Sequence, residues 1–202
     1  YLSFLRFKLN FDPMALEGIV DIKDEYFPTG LYTFTREDVF VDGGAWDGDT
    51  IRAIKEVTDN NFSKVFAFEP SPDAFMNLSE KHANDSRVTL VNKGLHNKTT
   101  TLKFDDFGST ASRLSTTGTT EVPVTTIDEI VQNDRVSYIK LNIEGAEYCA
   151  IEGGRSTIKK YKHEWNSEML FNKMKEIFNT KMPITEWFNE EGIDEEEIKK
   201  KV

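Results

Sequence analysis

The segment 39–57 constrains the fold of this chain more than any other stretch of the sequence. It opens with a short apolar run, passes through a glycine-rich turn, and then places apolar residues at helical spacing: Val39-Phe40-Val41, Asp42-Gly43-Gly44, then Ile51, Ile54 and Val57. This order predicts a buried strand that meets a helix through a tight turn. The carboxyl end of such a strand is where open α/β sheets bind their ligands.

The same alternation of strand, turn and helix repeats along the chain. Further extended segments are predicted at 64–68, 88–91, 101–104, 122–124 and 136–143, and helix starts at Ser71-Pro72 and at Thr126. Such alternation implies right-handed crossovers, so we predict an α/β fold with a mostly parallel, doubly wound sheet. The segment from Gly108 to Thr120 is rich in Ser, Thr and Gly, and we predict a loop there.

Shifts in composition divide the chain into three predicted regions. Residues 1–37 mix aromatic and charged residues and are expected to form a helical cap over one face or edge of the sheet. Residues 38–162 are expected to form the sheet domain, and residues 163–202, which are rich in Glu, Lys and Asn, a charged helical segment. Because the first residue is Tyr1 rather than Met, we expect a longer parent chain.

Charge and composition exclude several classes of function. The formal net charge is −10 at pH 7, and an acidic surface repels phosphate backbones, so no nucleic-acid partner is expected. No apolar run approaches the roughly 20 residues that cross a bilayer, so we expect no membrane span and predict a cytoplasmic location. Cys149 is the one cysteine of the sequence, which excludes an internal disulfide. No His, Asp and Glu set has ligand spacing, so no metal is predicted.

The charges around the first turn indicate which ligand it binds. Asp42, Asp47 and Asp49 lie at the mouth of the turn, and Glu69 ends the second predicted strand. A pyrophosphate docks on free N–H groups at a helix N-terminus, and three carboxylates would repel it. A nicotinamide oxidoreductase is also disfavoured because the dinucleotide fingerprint needs glycine where this chain has Ala45. The pattern favours S-adenosylmethionine, a phosphate-free nucleoside whose sulfonium and ammonium groups attract carboxylates.

These considerations give a set of predicted cofactor-binding residues. Gly44 is expected to allow the tight turn and the close approach of a ligand, and Gly48 to let helix and strand pack. Glu69 is expected to accept hydrogen bonds from two ribose hydroxyls. An alternative is that the aspartates only complement the helix dipole. The whole set is Asp42, Gly43, Gly44, Ala45, Asp47, Gly48, Thr50, Glu69 and Pro70.

Three ordered motifs resemble the FkbM family of methyltransferases: Val41-Asp42-Gly43-Gly44-Ala45-Trp46-Asp47-Gly48-Asp49-Thr50, Phe68-Glu69-Pro70 and Tyr138-Ile139-Lys140-Leu141-Asn142-Ile143-Glu144-Gly145-Ala146-Glu147. Tyr26-Phe27-Pro28 and Thr126-Ile127-Asp128 are similar too, so the resemblance covers about residues 24 to 160. It implies a Rossmann-like class I methyltransferase fold, S-adenosylmethionine as donor, and O-methylation, often of sugars in glycans or natural products. It also implies that Asp42, Gly44 and Gly48 line the methionine end of the donor and Glu69 its ribose.

The predicted catalytic residues, Glu144 and Asn142, lie at the end of the strand predicted at 136–143, and the chain departs from the family pattern at Asn142. Similar proteins carry Asp where this chain has Asn142, and Asn keeps an oxygen acceptor but loses the charge, which counts against a base role there. A sugar hydroxyl is a poor nucleophile, so a base should take its proton. Glu144 is our candidate, with His163 and His96 as alternatives.

The sequence leaves the far end of the sheet unexplained. A methyltransferase sheet of seven strands needs apolar strands after Gly154, and none is evident in 163–202. Three explanations remain: sequence missing near Lys162-His163, a truncated domain, or completion by a partner. A homo-oligomer is also left open.

The acceptor is expected to be a small molecule or a glycan. The competing hypothesis is a non-catalytic descendant that binds a nucleoside or serves in assembly.

Overall fold

The computed structural model describes residues 26–27, 32–105, 113–114, 120–143 and 145–161. Eight strands lie within these residues: β1 (Val39–Gly43), β2 (Lys64–Phe68), β3 (Val88–Val91), β4 (Gly94–Leu95), β5 (Thr100–Asp105), β6 (Arg113–Leu114), β7 (Thr120–Thr125) and β8 (Val136–Leu141). The helices within the same residues are α1 (Asp49–Val57), α2 (Pro72–His82), α3 (Ile127–Val131), α4 (Glu147–Gly153) and α5 (Arg155–Tyr161).

The main sheet has the strand order β3-β2-β1-β8, and every neighbouring pair in it is parallel. Val41 in the first strand lies opposite Phe66 on one side and Ile139 on the other. Because the strands are parallel, their carboxyl ends meet at one edge of the sheet. The predicted α/β fold with a mostly parallel sheet is therefore confirmed.

Alternate residues of the central strands bury two separate cores, one on each face of the sheet. Phe40 and Val65 pack with residues of α1 and α2, including Ile51 and Leu78. The neighbouring positions of the same strands point to the other face and pack with residues of α3 and α4; the members include Val39, Val41, Phe66, Phe68, Ile127, Val131 and Ala150. Apolar side chains on both faces make these strands read as continuous hydrophobic runs, which is typical of a doubly wound sheet.

Local signals fix where two of the helices begin. The Ser71 side chain accepts from the N–H of Ala74, and Pro72 occupies the first position of α2, where its missing N–H costs nothing. The Thr126 side chain accepts from the N–H of Glu129 at 3.0 Å at the start of α3. Both helix starts lie where the sequence predicts them.

A second sheet has the order β4-β7-β5-β6. Strand β5 pairs in antiparallel fashion with β7 and β6, whereas β4 runs parallel to β7. The prediction of a loop over Gly108 to Thr120 is wrong at Arg113–Leu114 and at Thr120, because these residues pair with the end of β5. The rest of that segment lies outside the described residues.

Most of the predicted terminal regions also lies outside the described residues. Within the predicted cap, Phe27 packs against β1 and β8 of the main sheet. Its ring centroid lies 6.3 Å from that of Phe40 and 5.2 Å from that of Tyr138. Nothing from Lys162 onward is described, which includes His163 and every position where further strands were sought. Among the described helices, none has the length and apolar character that would let it cross a bilayer.

Candidate active site

The turn between β1 and α1 contains three residues with positive φ. Gly44 and Gly48 have φ of 77° and 85°, and Trp46 has φ of 43°, a left-handed conformation that a non-glycine residue adopts only when its surroundings impose it. The N–H groups of Gly44 and Ala45 both donate to the carbonyl of Phe68, each at 3.0 Å. The turn is therefore held against the carboxyl end of β2.

Both predicted glycines are required by neighbouring protein atoms. A Cβ on Gly44 would lie 2.1 Å from the carbonyl oxygen of Asn142, and one on Gly48 would lie 2.3 Å from Nε2 of His82. The end of β8 fills the space on the Cβ side of Gly44, so the turn itself requires the glycine, and the close approach of a ligand to its backbone stays a prediction. Gly48 permits α1 to approach α2, rather than a helix to approach a strand.

Asp42 is fully buried at the end of β1 and paired with a buried lysine. Its Oδ1 accepts from Nζ of Lys140 at 2.9 Å, whereas its Oδ2 has no hydrogen-bond partner among the described residues. Burial raises the pKa of the Asp42 carboxyl, and the Lys140 ammonium acts most strongly in the opposite direction. The same ammonium donates to the carbonyl of Gly44 at 2.9 Å, so it joins the carboxylate to the turn.

Glu69 is buried directly after β2 and connects the turn with the start of α2. Its Oε2 accepts from the N–H of Trp46 at 2.9 Å, and its Oε1 accepts from the N–H of Ser71 at 2.8 Å. Burial raises the pKa of Glu69, and these two backbone donors oppose that shift. Each carboxylate oxygen can accept a second hydrogen bond, so capacity for two ribose hydroxyls remains.

The other two aspartates of the motif have protein partners of their own. Asp47 is bound by Lys81 at 2.6 Å and by Arg52 at 3.3 Å, and its hydrogen bond with Lys81 is the main cause of a lowered pKa. Asp49 accepts from the N–H of Thr50 at 2.6 Å at the start of α1. The sequence suggests a free negative charge at both positions, and for Asp47 this prediction is wrong, because Lys81 and Arg52 form salt bridges with its carboxylate.

The remaining predicted cofactor-binding residues line the protein side of the turn. The side chain of Ala45 is fully buried in the core beneath α1, and Thr50 is 1% exposed. Gly43 faces the side chains of Leu141 and Leu95, and Pro70 is half-buried beside Glu69. Any ligand contact from Gly43, Ala45 or Thr50 would come through the backbone, because these residues are buried.

The predicted catalytic residues receive only partial description. Asn142 is exposed, and its N–H donates to the carbonyl of Gly43 at 3.0 Å. Glu144 lies outside the described residues, as does its rival His163. His96 is half-buried, and burial lowers its pKa. Glu147 begins α4 and accepts from the N–H of Ile143 at 3.0 Å, so its carboxylate has a backbone partner close to the end of β8.

Lys140 and His82 lie at the site although the sequence reasoning did not select them. Lys140 is a charged residue within an apolar strand, and a buried charge needs a partner of opposite charge. This pattern is the sign in the sequence that could have pointed to Lys140. His82 was expected on a helix face; it is buried against Gly48, and both of its ring nitrogens lack partners among the described residues. No cluster of three or more His, Cys, Asp or Glu side chains suited to a metal ion occurs in this described part of the chain.

Comparison with known proteins gives consistent results. Residues 42–188 match the Methyltransferase FkbM domain family. Hexuronic acid methyltransferase AglP of Haloferax volcanii is 25% identical over 150 residues, which cover 71% of this chain and 63% of that protein. The crystal structure of Methyltransferase FkbM from Methylobacillus flagellatus KT shares the fold, with a TM-score of 0.57 and 24% identity over 87% of this chain.

This chain spans less than two thirds of the curated relative and 47% of the solved structure. The family match, by contrast, takes in well over half of the present sequence and includes the turn after β1, Glu69 and the end of β8. The Rossmann-like fold expected from the motifs is thereby confirmed, and the chain belongs to the FkbM methyltransferase domain family.

Proposed function

We propose that this chain is an S-adenosylmethionine-dependent O-methyltransferase whose acceptor is a sugar hydroxyl in a glycan or natural product. The observation that carries the proposal is Oδ2 of Asp42, a fully buried carboxylate oxygen without a partner among the described residues. It lies where β1 enters its glycine turn, at the edge where sheets of this kind bind ligands. A buried oxygen of this kind is costly unless a ligand group satisfies it.

The residues at this edge fit the proposed donor. The free oxygen of Asp42 would receive a cationic group of the methionine moiety, and Glu69 would receive the ribose hydroxyls with its remaining acceptor capacity. No phosphate site competes with this assignment, because buried carboxylates repel phosphate. When bound, S-adenosylmethionine supplies a methyl group that positive sulfur activates for transfer.

The protein's own part in the reaction is alignment, exclusion of water and proton removal. Rigid placement matters because a small misalignment of the reacting groups costs much of the rate. Glu144 remains our candidate for the base that takes the proton of the acceptor hydroxyl, since it comes shortly after the end of β8 in the sequence. Its carboxylate would act as the hydroxyl attacks, so that the oxygen does not carry a positive charge.

The choice of acceptor rests on one relative. The Haloferax protein is named as a hexuronic acid methyltransferase, and it aligns with 71% of this chain. We therefore propose glycans that contain a uronic acid as the first acceptors to test, followed by neutral sugars of the same linkage.

The test has a binding arm and a turnover arm. Calorimetry of the chain with S-adenosylmethionine and with S-adenosylhomocysteine should show binding of both, and mass spectrometry should then detect a methylated glycan. The competing hypothesis of a non-catalytic descendant, which Asn142 favours, predicts binding of both compounds without turnover on any acceptor. Stabilisation by NAD but not by S-adenosylhomocysteine in a thermal shift assay would refute the proposed cofactor.

A further inference from the structure

Three buried charged side chains lie side by side at the carboxyl ends of three neighbouring strands. Glu69 follows β2, Asp42 is in β1 and Lys140 is in β8, and they are 7%, 0% and 6% exposed. Asp42 and Lys140 are direct partners in the strand register, and Glu69 follows the residue that pairs with Gly43. We refer to these three side chains as the charged row.

We infer that Lys140 is a positioning residue that holds Asp42 as a carboxylate and leaves its second oxygen, Oδ2, to receive a cationic group of the methyl donor. This inference rests on the proposed function, because it assigns the cation to S-adenosylmethionine. Nothing in the family match or in the names of the relatives assigns a role to this lysine.

The contacts of Lys140 fix the position of its Nζ between the Asp42 carboxylate and the turn. Its Nζ lies 2.9 Å from Oδ1 of Asp42, 2.9 Å from the carbonyl of Gly44 and 3.5 Å from the carbonyl of Gly43. The ring of Tyr26 lies 5.2 Å away on another side. An ammonium group has three N–H donors, and three acceptors surround this one, so a neutral amine would lose bonds that the charged form makes.

The charge of the row also matches the proposed donor. With both carboxylates ionised, Lys140 leaves the row with one net negative charge. S-adenosylmethionine carries one net positive charge when its amino group is protonated, and the demethylated product carries none. Without Lys140, two buried carboxylates would stand side by side, and burial with like-charge repulsion would force a proton onto one of them.

Several groups act on the ionisation of Asp42. Burial raises its pKa most strongly, Asp49 of α1 acts in the same direction, and Lys140 of β8 opposes them; the nearby Thr50 hydroxyl of α1 has a smaller opposing effect, although it makes no hydrogen bond to Oδ2. Glu69, beside β2, is coupled to Asp42 by repulsion. Substituting Lys140 therefore removes the strongest influence that keeps this carboxyl ionised.

The first experiment measures proton release on binding. Lys140→Met keeps most of the length of the side chain and removes its charge, and calorimetry with S-adenosylmethionine is done at neutral pH in buffers of different ionisation enthalpy. We expect binding at least about tenfold weaker than in the unsubstituted chain, with close to one additional proton released per donor bound. The Asp42→Asn, Lys140→Met double variant should lack the additional proton, and Lys140→Arg should bind without it.

The second experiment needs no ligand and uses the carboxyl carbon signals of the aspartates in nuclear magnetic resonance. The Asp42 signal is assigned by its loss in Asp42→Asn. In the unsubstituted chain it should report an ionised carboxylate at neutral pH, and in Lys140→Met a protonated one. If Lys140→Met does not fold, the unsubstituted chain still decides, since a protonated Asp42 at neutral pH would overturn the inference.

The two arms separate failure of this inference from failure of the proposed function. If the unsubstituted chain binds S-adenosylmethionine, but Lys140→Met binds it equally well and releases no additional proton, the inference is wrong and the proposed function stands. If the Asp42 signal depends on Lys140 as expected but the chain does not bind the compound, the lysine holds the carboxylate and the proposed cofactor is wrong. A structural role alone would weaken binding in every variant without moving the proton count.

Discussion

Alanine at Gly48 is expected to destabilise the fold through two separable effects. Gly48 has φ of 85°, and forcing an L-residue into the left-handed region costs about 1–2 kcal/mol. The new Cβ would also lie 2.3 Å from Nε2 and 2.5 Å from Cδ2 of His82, and overpacking of a core costs typically about 1–3 kcal/mol. The His82 ring is buried at the end of α2 and has little room to retreat.

Gly145 provides a matched control within the same chain. Its φ is 93°, close to that of Gly48, but a Cβ there would meet no atom of the described residues within 4 Å beyond its two chain neighbours. Gly145→Ala should therefore show only the backbone cost, about 1–2 kcal/mol. The difference between the two alanine variants then isolates the contact with His82, and it should be about 1–3 kcal/mol.

Urea unfolding of the full chain measures both free energies, with the slope of the transition checked for constancy between variants. A second comparison places Gly48→Ala in a His82→Ala background, where the obstructing ring is absent and the cost should fall towards that of Gly145→Ala, with Leu78 Cδ1 at 3.2 Å as the remaining close contact. Equal losses for Gly48→Ala and Gly145→Ala, or an unchanged loss in the His82→Ala background, would refute the argument that His82 excludes a side chain at 48.

Three further outcomes are expected. Glu69→Ala should weaken binding of S-adenosylhomocysteine by about tenfold, roughly 1.4 kcal/mol, in calorimetry; unchanged affinity would contradict a ribose site there. Ultraviolet titration should show a Tyr32 pKa raised from 10 to about 12 by burial and by Asp38, so that its contribution to stability is full below pH 10 and lost as the pH rises to about 12; Tyr32→Phe should abolish that loss. The hydrogen bond with Arg87 is the main cause of the lowered pKa of Asp85. The Asp85 carboxylate therefore contributes to stability above its ordinary pKa of 3.8, and this contribution is lost as the pH falls below that value. Asp85→Asn should flatten the acid limb of stability against pH, and an unchanged limb would exclude that contribution.

The main sheet could be predicted because its signals are local. Each strand is a run of apolar residues. The turn between Gly43 and Gly48 is indicated by its glycines, whose conformations no other residue adopts cheaply. The start of α2 at Ser71 and Pro72 is likewise set by residues that are neighbours in sequence. Short-range information of this kind was enough for the fold and for the location of the candidate site.

The second sheet could not be predicted in full because β6, one of its two-residue strands, is defined by its pairing with another strand. Arg113–Leu114 is a two-residue strand in a segment rich in small polar residues, and its assignment comes from pairing with Phe104 and Asp105. Strand preference reflects packing against neighbours more than any intrinsic property of the residue. A sequence window around Arg113 therefore carries no signal for it.

The partners of the motif aspartates were missed for a related reason. Lys140 is separated from Asp42 by 98 residues and Lys81 from Asp47 by 34 residues, so neither ion pair leaves a pattern in the local sequence. A charged residue within the apolar strand β8 was the one available sign of the first pair. For the second pair there was none, because lysines are common on exposed helix faces.

These ion pairs change which carboxylate of the motif attracts a cationic ligand most strongly. The sequence suggests three carboxylates acting together, yet Asp47 is partly exposed, bound by two cations and screened by solvent, so it contributes little at a distance. Oδ2 of Asp42 is buried and without a partner among the described residues. Charges interact far more strongly where water is excluded, so this one oxygen outweighs the aspartates at the surface. The case for a positively charged cofactor therefore depends on the ionisation of Asp42, and through it on Lys140.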